Sequence, residues 1–188
     1  SGLKALKFRV GAGAAAISYQ NLRYTSDHLP IITDIHFGTT VPAAKAPSVY
    51  SGTPDTSWYK EGTKSYTLTT ADQFVGINQL RKDSAGAITF EGVTIKLDTD
   101  IIINEGTLDE IKASGSENYA IIATNSAYEF KGIFDGQGHS ISGAYMSSAY
   151  SYRSIFGGVG GSAKIKNFIL ENSYFVASAK PYFGTIIG

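Results

Sequence analysis

Cysteine is absent from the 188-residue chain, methionine and tryptophan occur once each, and there are only five prolines. The lack of cysteine excludes a disulfide framework, thiolate metal sites and a cysteine nucleophile. Neither sign of charge is in excess, because 16 Lys and Arg face 16 Asp and Glu. A protein that coats a polyanion draws its affinity from clustered Lys and Arg, so this balance argues against nucleic acid as a partner. No apolar run approaches the roughly 18 residues of a membrane-crossing helix, so no membrane span is expected. Leucine is scarce as well, with 9 Leu against 20 Ile. What is abundant points to strands and turns. Ile with 12 Tyr and 10 Phe suits a pleated, half-buried surface. The 21 Gly and 36 Ser and Thr supply corners. The length suits one or two domains with a real core. The start at Ser1-Gly2 and the lone Met146 read as a fragment or processed product of a longer protein.

Proline marks the organisation. Pro42, Pro47 and Pro54 fall close together, whereas Asp55 to Lys180 contains none. Proline fixes φ and removes a donor, so residues 41–57 are expected to form an extended linker that joins a sheet poorly. It separates a piece at 1–40, with four basic and two acidic residues, from an acidic-leaning piece at 58–188. The first piece holds two strand-like runs, Ala5–Val10 and Leu29–Phe37, too few for a core of their own. The second opens with a capping box, Thr70 as N-cap and Gln73 three residues on, followed by an apolar stripe of Phe74, Ile77 and Leu80. Short strands follow at Val93–Leu97, Tyr119–Ala123 and Ile165–Leu170. Ile95, Ile121, Ile141, Ile165 and Ile187 recur at spacings of 20 to 26 residues, the length of one coil of a parallel β-helix. The expected class is mostly β, a solenoid with a short N-terminal capping helix. Phe134, Ile141, Phe156, Ile165 and Phe168 are expected to point inward. A β-sandwich is the alternative, though it calls for strands every 8–12 residues.

The segment Phe130-Lys-Gly-Ile-Phe-Asp-Gly-Gln-Gly-His-Ser-Ile-Ser-Gly143 is followed by Ser154-Ile-Phe-Gly157, Ile165-Lys-Asn-Phe168 and Phe183-Gly-Thr-Ile-Ile-Gly188. Together these resemble the Gly-rich right-handed β-helix repeats of bacterial surface proteins, over about residues 58–188. The resemblance implies a right-handed parallel β-helix in a secreted or cell-surface bacterial protein, with adhesive, spacer or glycan- and protein-binding work.

Tyr24-Thr-Ser-Asp-His-Leu-Pro-Ile-Ile-Thr-Asp34 carries a second resemblance. It is similar to the closing motif of the endonuclease/exonuclease/phosphatase family, where Ser-Asp-His-x-Pro sits at the last core strand. The resemblance implies that residues 1–40 are two strands left from an α/β nuclease-like sandwich. It also implies that His28 faces the scissile phosphate and that Asp27 orients it or approaches Mg²⁺. Imidazole suits that role because it exchanges protons near neutral pH. The family's metal-binding Glu, its Asp-x-Asn and an earlier His have no counterpart here. Mg²⁺ is therefore implied for a parent enzyme, and no cofactor is expected for this chain. The alternative for His28, and for His36 and His139, is a hydrogen-bonded turn histidine.

Three other patterns carry weaker chemistry. Val10-Gly-Ala-Gly-Ala-Ala-Ala16 loosely fits a dinucleotide-binding turn, but no second βαβ unit follows. Asp98, Asp100 and Asp135 are either calcium ligands or caps of turns and strand ends. Tyr145, Tyr150 and Tyr152 cluster between strands, where exposed rings could stack on sugars or fill a protein interface, or else simply cover backbone. The reading is a noncatalytic adhesive, spacer or glycan- or protein-binding module. A fragment of a metal-dependent phosphodiesterase or phosphatase is the first alternative. A polysaccharide lyase or glycosidase, which needs paired carboxylates on one face, is the second. Open strand edges and apolar residues such as Phe183, Ile186 and Ile187 near the end predict self-association.

Overall fold

The computed structural model describes residues 45–114, 128–148, 154–177 and 184–187. The chain divides between Ala44 and Lys45, and every described residue lies in the second unit, Lys45–Gly188. The Ala5–Val10, Leu29–Phe37 and Tyr119–Ala123 runs, the glycine turn at 10–16 and His36 lie outside the described residues.

Ten short strands and two helices are described. They are β1 (Ser48–Val49), β2 (Ser65–Leu68), α1 (Ala71–Asp83), β3 (Thr94–Leu97), β4 (Ile101–Ile102), α2 (Leu108–Ser114), β5 (Ile133–Asp135), β6 (Ser140–Ser142), β7 (Tyr145–Ser148), β8 (Lys164–Lys166), β9 (Ile169–Glu171) and β10 (Tyr174–Ala177). All pairing is parallel and falls into three sheets, ordered β2-β3-β5-β8, β1-β4-β6-β9 and β7-β10.

This corrects the right-handed β-helix expected over 58–188. Among the described residues the strands form three separate small parallel sheets with two helices, and no sheet closes. The result is a mixed α/β-like arrangement. The parallel neighbours β2 and β3 are joined through helix α1, the crossover that parallel pairing requires. The isoleucine spacing misled because it joined residues of different sheets. Ile95 pairs with Tyr66 and Phe134, and Phe134 with Ile165, while Ile141 lies between Ile101 and Leu170 in another sheet. Ile187 stands outside any strand, about half exposed.

Helix α1 forms as its sequence directs. The Thr70 side chain accepts from the Gln73 N–H at 3.2 Å, while Gln73 Oε1 accepts from the N–H of Thr69, one residue before the cap, at 2.8 Å. Asp72 in the first turn and Arg81 and Lys82 in the last complement the helix dipole. The buried face is Ala71, Phe74, Val75, Ile77, Asn78 and Arg81. The linker expected to avoid sheets contributes β1, which pairs with β4 at a sheet edge, where a neighbouring proline such as Pro47 does no harm. Asp72 accepts from the Ser51 N–H and hydroxyl at 2.8 and 2.9 Å, and the Ala71 N–H donates to Ser48 Oγ at 2.9 Å, pinning this segment to α1.

In-register alternation builds the core. Tyr66 and Leu68 of β2 and Ile95 and Leu97 of β3 are buried while their strand neighbours face outward or sit at intermediate depth, and on β5 both Phe134 and Asp135 are buried. Of the residues expected to point inward, Phe134, Ile141 and Phe156 are buried, whereas Ile165 and Phe168 are half-buried against the same cluster. Gly143, at φ +74°, turns the chain from β6 into β7, and a Cβ there would run into the backbone of Asn104. Ile165–Leu170 is not one strand. Asn167 takes φ +56° and breaks it into β8 and β9, a conformation that asparagine tolerates better than most residues.

Candidate functional site

The two four-stranded sheets meet along three turns, residues 98–100 between β3 and β4, 136–139 between β5 and β6, and 167–168 between β8 and β9. Left-handed backbone makes the corner tight, with Gln137 at φ +56°, Gly138 at +89° and Asn167 at +56°. Successive turns are hydrogen-bonded to one another. The Gly136 N–H donates to Lys166 O at 2.9 Å, the Gly138 N–H to Asn167 O at 2.7 Å, and the Ile169 N–H to His139 O at 3.1 Å. Gly136 is needed for this approach, since a Cβ would strike Phe168 and lie 2.6 Å from Asn167 O.

Each acidic residue on the corner holds its own partner. Asp98 Oδ2 lies 2.7 Å from Lys45 Nζ, and the Lys45 hydrogen bond lowers its pKa. Asp100 Oδ1 accepts from the Ser140 N–H at 2.8 Å and lies 3.1 Å from His139 Nδ1. Asp135, 7% exposed, accepts from Asn167 Nδ2 at 3.0 Å and from the Gln137 N–H at 3.1 Å, and its Oδ2 faces Lys166 Nζ at 3.1 Å. The Asn167 amide first, then the Gln137 N–H and Lys166, hold its pKa down at about 2, below the ordinary 3.8. Because the folded value is depressed, the unfolded chain takes up the proton first. The stabilisation from Asp135 is therefore complete above 3.8 and is lost as pH falls through about 2. In an acid titration of the folded fraction, Asp135→Asn is expected to be less stable than the parent at neutral pH and to lose less as pH drops. An unchanged acid limb would show that this carboxylate is not coupled to folding.

Beside these pairs lies an open groove of about 600 Å³, lined by Gln137, Gly138, Asn167, Phe168 and Ile169. Its apolar floor is the half-buried Phe168, whose ring meets Phe134 at 5.8 Å and Phe156 at 6.4 Å, with Ile169 56% exposed beside it. Asn167 commits its amide NH₂ to Asp135, which leaves its Oδ1 as an acceptor at the groove wall.

The residues proposed from sequence fall elsewhere or outside the described residues. Asp27, His28, Tyr150 and Tyr152 lie outside them. Tyr145 is buried on β7 and stacks on Tyr174 of β10, with ring centroids 5.6 Å apart and planes 24° apart. Lys112 Nζ of α2 sits 5.3 Å from the centre of the Tyr174 ring. Asp98, Asp100 and Asp135 share the corner but act there as caps and ion-pair partners. Among the described residues no group of three His, Asp or Glu side chains could hold a metal ion, and no helix is long and apolar enough to cross a membrane. No motif in the sequence marks Gln137, Asn167, Phe168 and Ile169 as lining one groove. Their signal was the Asp-Gly-Gln-Gly-His and Lys-Asn-Phe-Ile turn chemistry, which announces corners and not what the corners face.

Comparison with family models, with curated proteins and with solved structures finds no match.

Proposed function

We propose that residues 45–188 form a noncatalytic binding module that holds a glycan in the corner groove. The observation that carries this reading is the pairing of an apolar floor, Phe168 and Ile169, with amide walls, Gln137 and Asn167. A sugar ring presents an apolar C–H face and a rim of hydroxyls, and such a groove answers both. The likeness of the Gly-rich segments to repeats of bacterial surface proteins supports placing the module on a secreted or surface-attached protein. Titrating labelled chain with solubilised cell-surface polysaccharide is expected to shift the amide resonances of 136–139 and 167–169 before any others. Shifts confined to other faces, or new reducing ends released from the polysaccharide, would refute the reading.

Self-association is a further part of the proposal. Among the described residues β8, β9 and β10 each end a sheet, and Ile187 is 49% exposed nearby in sequence to the last of them. An open edge of this kind templates pairing with another chain. Sedimentation velocity is expected to show concentration-dependent dimers or larger species. A monomer at every concentration would count against it.

A further inference from the structure

The five residues that line the corner groove carry no formal charge. Of the polar side chains beside it, Lys166 Nζ faces Asp135 at 3.1 Å and His139 Nδ1 lies 3.1 Å from Asp100 Oδ1. From this we infer that the groove takes an uncharged glycan, a polymer of neutral hexoses or pentoses, and rejects uronate or sulfated ones. The inference rests on the glycan-binding reading above and narrows it to one chemical class. An acidic sugar docking on Phe168 and Ile169 would find no cation in the lining to offset whatever hydration its carboxylate or sulfate loses.

Recruiting Lys166 would not repair this loss. Lys166 is about half exposed, but its ammonium faces Asp135, a nearly buried carboxylate that also accepts from Asn167 and Gln137. Drawing the lysine toward a ligand anion would weaken that pairing. A neutral sugar makes no such demand. Its hydroxyls can donate to Asn167 Oδ1 and exchange bonds with the exposed Gln137 amide, while its C–H face covers Ile169.

The test measures binding of the full chain to immobilised cello-, xylo-, manno- and maltohexaose, and to polygalacturonate, alginate and heparin, at low and at high salt. Binding is expected to at least one neutral oligomer, nearly independent of salt because no ion pair forms. Ile169→Ala removes exposed apolar floor and is expected to weaken that binding about fivefold while leaving the fold intact. Stronger, salt-sensitive binding to the acidic polymers would overturn the uncharged class and leave the glycan-binding reading standing. Neutral binding that Ile169→Ala does not alter would overturn the groove assignment. No binding to any of the glycans would overturn both.

Discussion

Arg81→Met is expected to lower stability by about 3 kcal/mol, one of the largest losses available to a single substitution in this chain. Arg81 sits in the last turn of α1, and its side chain is fully buried. The guanidinium donates to Asn78 Oδ1 and Phe156 O, both at 2.8 Å, to Tyr128 O, and more weakly to Gly158 O at 3.5 Å. One side chain thus ties the helix to two segments, 128–130 and 154–158, that have little regular pairing of their own. Methionine fills similar volume and removes a buried charge, which by itself helps stability. It also strips the guanidinium donors from the Tyr128 and Phe156 carbonyls, and each buried acceptor left unmet costs about 1–3 kcal/mol. The acceptors outweigh the relief, because several lose a donor at once. Arg81→Lys keeps the charge but not the planar fork and should recover only part of the loss. Urea unfolding monitored by tryptophan fluorescence reports this directly. If both variants unfold at the parent's midpoint, the buried fork contributes nothing and the account fails.

Phe134→Ala is expected to cost roughly 3–5 kcal/mol. Phe134 is fully buried, and its ring centroid lies 4.9 Å from Phe156 and 5.8 Å from both Phe74 and Phe168. It therefore joins α1, β5, the 154–156 segment and the floor of the groove in one cluster. Truncation leaves a cavity that four surrounding elements cannot all close, and it also loosens Phe168. Phe134→Leu should lose much less, since most of the volume remains. Ile169→Ala, at an exposed position, should change stability by no more than about 0.5 kcal/mol. Thermal unfolding of the three variants in parallel would test the ranking. Equal melting temperatures would mean that the cluster is not the core.

Features with local causes are legible in the chain itself. Thr70 and Gln73 announce the start of α1, and Phe74 and Ile77 its buried side, because capping and 3.6-residue periodicity need no distant partner. Strand β3 and the burial of Phe134, Ile141 and Phe156 were legible from alternation and from aromatic residues between glycine corners. The tertiary structure alone decided which strands are neighbours. A parallel pair is joined by a crossover whose length the pairing does not fix. Ile95 and Ile141 look like repeats in sequence yet belong to different sheets, so three open sheets stand where one repeating solenoid was expected. It also decided that Arg81 is buried and that Asp135 is held by Asn167 and Lys166. The groove was illegible for the same reason. Gln137 and Asn167 each read as turn residues, and only the stacking of one turn on the next sets them around Phe168 and Ile169.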